Sequence, residues 1–322
     1  MAKSFLEILQ WTPEQARAYL EEIRWPDGPV CPNGCASEVY RFEAKTRRNG
    51  KTQPTRHLLK CKQCRRQFTV TVGTIFEDSK IPLTKWIVAI HLMCASKKGV
   101  SAHQLHRMLN VGYEAAWFMA HRVRHAMKDK GPLLSGVIEA DETYVGGKPR
   151  RHPSKRAGRS QREIQRESYQ NKTPVFGILE RGGRVRPVVI EGISKTRIEQ
   201  AFVGNVDLDN SVLVTDESPY YGDIKTLLPH RTVKHRDEYV TGKDIHTQGI
   251  EGFWSLLKRQ LYGTHHHVEA GFLGMYADEA AFKHNTRKMN DGERFASALQ
   301  GVRGRLTWYV GKASEGESPS AS

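Results

Sequence analysis

The spacing of apolar residues changes character twice along the chain, and the changes divide it. Residues 1–27 are read as a helical segment. Between 28 and 76, large apolar side chains are few and fall in short strand-like runs. VYRFEAK and RHLLK flank the turn RRNGK, and QFTVTVGTIF follows. From residue 80 to 130 a helical period takes over. PLTKWIVAIHLMCASKKG predicts one helix stopping near Gly99, with Cys94 as a small core residue. SAHQLHRMLNVGYEAAWFMAHRVRHAMKDK predicts two amphipathic helices broken at NVGY, the outline of a helix-turn-helix whose second helix carries His121, Arg122, Arg124 and His125.

From Ser135 the pattern is that of strands. SGVIEADETYVGG is a strand, and TPVFGILERGGRVRPVVIEGIS a hairpin about Gly182–Gly183. A short helix TRIEQAFVGNV follows, then a strand ending at Asp216, a helix to about Leu228, and the strand HRTVKH. Residues 131–310 are therefore expected to form an α/β unit, a mixed sheet with helices packed against it. The tail 311–322 is small and polar and is expected to be disordered. In HTQGIEGFWSLLKRQL, Ile250, Phe253, Leu257 and Leu261 make an apolar stripe that faces a core. Glu251 and Lys258 lie beside it, seven residues apart. At about 100° per residue they point nearly the same way, roughly 10 Å apart along the axis.

Charge adds a partner to this outline. The 322 residues carry 50 Lys and Arg against 35 Asp and Glu, a formal +15. With no amphipathic basic helix or lipidation signal, the polyanion this suits is nucleic acid and not a membrane surface. Residues 147–172 form a basic insertion; from 148 on it holds nine Lys or Arg against two Glu, a net +7. It is read as an arm, with Arg150, Arg151, Lys155 and Arg156, that clamps DNA or a partner subunit. The most apolar run, WIVAIHLMCA, has about half the length of a membrane span. MAKSFLEILQWTPEQ lacks the apolar core of a signal peptide, so a cytosolic location is expected.

In that compartment the five cysteines are thiols or ligands, not disulfides. Four come as two pairs, Cys31 with Cys35 and Cys61 with Cys64, separated by 25 residues. Two knuckles carried on hairpins make a zinc ribbon. A segment with so few large apolar residues lacks a core of its own, and one structural Zn²⁺ would supply the folding energy.

Asp141 in the first strand, Asp216 at the end of the fourth and Glu251 on the later helix can converge at one sheet edge. Three carboxylates there repel one another unless cations neutralise them. Hard oxygen ligands suit two Mg²⁺ or Mn²⁺, which support phosphodiester cleavage. Lys258 on the same helix face would hold a DNA phosphate.

The stretches CKQCRRQFTVTVGTIFEDSKIPLTKW, KKGVSAHQLHRMLNV, IEADETYVGGK, LVTDESPYYG and HTQGIEGFWSLLKRQLYGTHHHV resemble bacterial DDE-type insertion-sequence transposases with an N-terminal zinc ribbon, the ISXO-like family. The resemblance runs from about Val30 to Arg287. It implies an RNase H-like catalytic core, double-stranded DNA partners (transposon terminal inverted repeats and target DNA), and joining of freed 3′-hydroxyls to the target. It matches Asp141 and Asp216 to the first two metal-binding acids and Lys258 to the lysine after the third. Where the family often has Asn, three residues before the glutamate, this chain has Gln248. A neutral amide is a weak ligand, so Glu251 is taken as the third acid and Gln248 as a helper. FKHNTRK also departs from the family's usual residues, a matter of packing. His265–His267 are read as a DNA-facing loop. Cutting two ends in concert implies at least a homodimer on DNA.

Overall fold

The computed structural model describes residues 3–41, 57–147, 172–215, 219–221, 224–232, 247–304 and 306. Helices α1 (Phe5–Leu9) and α2 (Pro13–Arg24) each open on a reciprocal capping box, Ser4 with Glu7 and Thr12 with Gln15, and Pro13 starts α2 without losing a bond. Three short strands follow: β1 (Val39–Arg41), β2 (Leu59–Cys61) and β3 (Gln67–Phe68), antiparallel in that order. Their inward residues Leu59 and Phe68 do not form a core alone. They join one built on the neighbouring helices, where Trp25 meets Phe68 edge to face at 6.1 Å.

Helix α3 (Leu83–Ala95) buries Trp86, Ile87, Ile90, His91, Met93 and Cys94, because helices surround it. Helices α4 (Ala102–Leu109) and α5 (Tyr113–Ala126) are joined by a tight turn. Asn110 ends α4 in the left-handed region at φ 47°, a conformation that asparagine tolerates.

The larger unit is a five-stranded mixed sheet. It is built from β4 (Leu134–Gly146), β5 (Lys172–Glu180), β6 (Val185–Val189), β7 (Val206–Thr215) and β8 (His230–Thr232), in the order β6-β5-β4-β7-β8. The first three strands pair antiparallel, whereas β7 runs parallel to β4 and β8 parallel to β7. An antiparallel meander extended by parallel strands beside its first member is the RNase H-like arrangement. Alternation along β5 divides the faces. Phe176 and Ile178 pack with Ile198 and Phe202 of α6 (Lys195–Val203). Val175 and Leu179 pack with Ile250, Phe253, Trp254 and Leu257 of α7 (Gln248–Gln260) and with Leu273 and Ala277 of α8 (Ala270–Asn285).

Two features differ from the expectation. Where a helix was expected after Asp216, the described residues form two 3₁₀ turns, Pro219–Tyr221 and Ile224–Thr226, and Tyr221 and Ile224 reach the core. And α9 (Asp291–Gln300), inside the span assigned to the catalytic unit, returns to the front of the molecule. Its Phe295, Ala298 and Leu299 enter the α2–α3–α5 core, with Phe295 stacked on Tyr19 at 5.9 Å.

Candidate active site

Odd-numbered residues of β4 from Glu139 to Val145 face α7, and two of them are carboxylates that touch it. Glu139 is fully buried. It accepts a bond from the backbone N–H of Ile250 (3.1 Å) and one from Arg181 Nε (2.9 Å). Thr247, the residue before α7, makes no side-chain cap. The strand carboxylate takes that place, satisfying an orphan donor of the helix and meeting its positive end. A Cβ at Gly249 would stand 2.7 Å from Glu139 Oε2, so glycine lets the helix end approach.

Two residues on, Asp141 accepts a bond from the indole N–H of Trp254 at 2.9 Å. Asp141 pairs across the sheet with Gly177. A side chain at Gly177 would come within 2.5 Å of Trp254 Cζ2 and 2.8 Å of Ile250 Cδ1. The missing Cβ is what lets the indole lie against the sheet beside Asp141.

Glu251 and Trp254 are helix neighbours three residues apart, so their Cβ atoms are about 5–6 Å from each other. Glu251 is exposed and accepts from Thr247 Oγ1 at 3.2 Å; Lys258 and Gln248 are exposed too. The third acid, Asp216, lies outside the described residues. It directly follows Thr215, the buried end of β7, whose Oγ1 is 2.8 Å from His230 Nε2. β7 is paired with β4 as far as Glu139↔Val214. Arg150, Arg151, Lys155 and Arg156 of the basic insertion also lie outside the described residues, as does the tail from 307.

Trp254, Gly177 and Glu139 went unremarked in the sequence reading. Signals for them were present: a glycine inside an otherwise apolar strand marks close approach of another element, and EAD places two acids on one strand face.

At the front, the four thiol sulfurs of Cys31, Cys35, Cys61 and Cys64 all lie within 4.8 Å of one another, with Cys31 and Cys64 at 3.5 Å. Tetrahedral zinc with Zn–S near 2.3 Å sets sulfurs about 3.8 Å apart, so the cluster fits the ion. The backbone N–H of Arg66 lowers the Cys64 thiol to about 7, while the bond with Cys64 pushes Cys35 up to about 12, as expected of crowded thiols that share protons.

On α5 the structure corrects one expectation. Arg124, expected to reach DNA, lies in the interior. It is 2% exposed, its Nε lies 2.7 Å from Glu279 Oε2 on α8, and its guanidinium sits 3.9 Å from the Tyr276 ring centroid. Arg122 donates to the carbonyls of Ile75 and Glu77, which ties α5 to the segment leaving the ribbon. His121 and Arg124 are buried where α8 packs on α5, whereas Arg122 and His125 are half-buried. Lys283 completes the interior cluster at 2.6 Å from Glu279. His265 also departs from its expected loop. It ends a π-turn (Leu261–His265) and packs inward on Tyr276 at 4.7 Å, while His266 and His267 are exposed.

A zinc ribbon ahead of an RNase H-like sheet narrows the class, and comparison with known proteins gives the family. Residues 133–285 match the ISXO2-like transposase domain, and residues 12–67 the transposase zinc-ribbon domain. An uncharacterized protein in transposable element ISH50 of Halobacterium salinarum is 31% identical over 256 residues, covering 77% of this chain and 82% of that protein. The chain belongs to the ISXO2-like (IS1595) transposase family. A simian T-cell lymphotropic virus intasome in complex with PP2A regulatory subunit B56 gamma shares 13% identity over 60% of this chain and 64% of that one. Its TM-score of 0.28 is too low to carry an argument. Among the described residues, no helix is long and apolar enough to cross a membrane.

Proposed function

We propose that the chain cuts DNA at the ends of its insertion sequence and joins the freed strands to target DNA, using Asp141, Asp216 and Glu251 to hold two divalent cations. The observation that carries this reading is the contact of Asp141 with Trp254, one helical turn from Glu251 on the same helix. It supports the reading because Trp254 stands three residues from Glu251 on the same helix, and Asp216 follows in sequence the strand paired with β4. Hard carboxylate oxygens fit Mg²⁺ or Mn²⁺. When bound, such a pair of ions activates the attacking oxygen and stabilises the leaving one. The protein's share is placement: Thr247 steadies the Glu251 carboxylate, Gln248 lies one turn before it as a helper, and Lys258 binds a phosphate beside the scissile one. Water cuts first, and the liberated 3′-hydroxyl then attacks a target phosphodiester in line.

Recognition of the terminal inverted repeats falls to the front unit. With His121 and Arg124 of α5 buried, the exposed groups suited to DNA are Lys97 and Lys98 before α4, His103, Gln104 and Arg107 on α4, and Tyr113 at the start of α5. The basic insertion, with Arg150, Arg151, Lys155 and Arg156, acts as a clamp on DNA or on a second copy, and two copies act together on paired ends.

Incubation of the zinc-loaded protein with Mg²⁺, a labelled transposon end and a target plasmid tests the proposal. Joined product is expected. Cutting without joining would mean a nuclease, and binding without cutting a regulator; either result refutes the reading.

A further inference from the structure

We infer that Trp254 is a positioning residue for Asp141: its indole N–H fixes the carboxylate in the orientation that receives a divalent cation. This rests on the reading of Asp141 as a metal ligand. The contact is prepared from three sides. Trp254 is 4% exposed, so its N–H must find a partner in the protein, and Asp141 Oδ2 at 2.9 Å is that partner. Gly177, directly across the sheet from Asp141, is the one residue type that leaves room for the indole at this register, since a Cβ would sit 2.5 and 2.6 Å from two of its carbons. Glu139, two residues before Asp141 on the same face, holds the backbone of Ile250 and so sets α7 lengthwise on β4. With the helix anchored one turn earlier, the indole has little freedom to leave the carboxylate.

The chemistry follows from the acceptor inventory. An ionised carboxylate offers about four lone-pair sites, and the bond from Trp254 occupies one of them. The N–H withdraws a little charge from Oδ2, which weakens it as a ligand. It also removes the rotation that a partly exposed aspartate otherwise loses on binding. Removing outer partners of this kind generally costs about 10–100-fold in metal affinity, so orientation outweighs the lost basicity. Because Trp254 shares its helix face with Glu251 and Lys258, the same bond sets the spacing between the strand acid and the two helix charges.

The test compares wild type, Trp254→Phe and Asp141→Asn as full-length, zinc-loaded protein. Mn²⁺ binding is read by electron paramagnetic resonance, end binding by gel shift, stability by thermal melting, and cutting as a function of [Mn²⁺]. Phenylalanine loses the donor together with the benzo carbons Cζ2 and Cη2 that lie against Gly177, so thermal melting is read beside metal binding and the recovery of cutting at saturating Mn²⁺ separates the two losses. Trp254→Phe is expected to bind ends as wild type does and to bind Mn²⁺ about tenfold more weakly. Its cutting should be slow at limiting Mn²⁺ and recover at saturation, which a merely structural defect would not do. Wild-type Mn²⁺ affinity in folded Trp254→Phe overturns the inference. If phenylalanine unfolds the chain, the sulfur isostere 3-benzothienylalanine at position 254 decides by the same measure. Asp141→Asn separates the two layers. If it keeps Mn²⁺ binding and cutting, the site reading itself is wrong; if it loses both while Trp254→Phe loses neither, only the role of Trp254 falls.

Discussion

Arg124 and Glu279, 2% and 0% exposed, make an ion pair inside the protein, and Lys283 gives the carboxylate a second cation. Removing one partner of such a pair leaves a charge stranded in the interior, at a cost of about 3–5 kcal/mol. With Lys283 remaining, Arg124→Ala is expected to lower the urea unfolding free energy by about 3 kcal/mol. Replacing all three charges together, Arg124→Met, Glu279→Met and Lys283→Met, strands none of them and should recover most of that loss. Because the guanidinium does not reach solvent, this triple variant should keep the wild-type salt dependence of DNA binding. A slope of log K against log [salt] shallower by about 1 would mean that Arg124 neutralises a phosphate after all. Gly177→Ala crowds Trp254 and Ile250 and should cost about 1–3 kcal/mol while pushing α7 off the sheet, so its cutting should fall further than its stability. At this scale the sequence was legible for the gathering of four thiols and for where Asp141, Glu251 and Lys258 stand, one on a strand and two on a helix. It was illegible for Arg124. A basic residue on an amphipathic helix looks alike whether it meets a phosphate or a buried carboxylate 155 positions away.

The elements were mostly readable because each is bounded by local physics: alternation in β4 to β6, caps at Ser4, Thr12 and Ser101, the left-handed turn at Asn110. What local pattern omits is the partner of each face. The period of α9 marks Phe295 and Leu299 as inward but not that inward means the front unit. The π-turn ending at His265 likewise turns inward a side chain that sequence alone left in a loop. That turn has a consequence for pH. Burial first, and the nearby Arg124 next, lower His265 to about 4 and His121 to about 3. Both are neutral in the folded protein at pH 6, whereas in the unfolded chain they protonate near 6.5. The unfolded state then binds more protons, so stability rises with pH. The contribution is complete above about 6.5 and is lost as pH falls through about 4 and then about 3. Glu279 acts in the same sense lower down: burial alone would raise it, but Lys283 and Arg124 hold it at about 2. The melting temperature is expected to drop from pH 7 to 4, and His265→Phe should flatten part of that drop. An identical profile in the variant would exclude His265 as a source. Zinc is the other element-level control. Leu59 and Phe68 belong to the helical core, so chelation should loosen α2 and α3 along with the ribbon. Near-ultraviolet circular dichroism should show lost tryptophan signal and gel shift lost end binding; a signal unchanged by chelation would mean that the ribbon holds without metal.

For the whole molecule, the formal +15 and the division into a front unit and a sheet unit fit the proposed action on DNA. The Arg124–Glu279 pair joins α5 of the front unit to α8, which packs on the sheet, so the two units meet through a buried contact. The central claim is narrower: Asp141, Asp216 and Glu251 form a single metal site. Single-turnover cutting of a labelled transposon end in Mg²⁺, by Asp141→Asn, Asp216→Asn and Glu251→Gln beside the wild type, tests it most directly. The expected result is wild-type end binding with cutting reduced to background in all three. Wild-type cutting by any one of them would contradict the account.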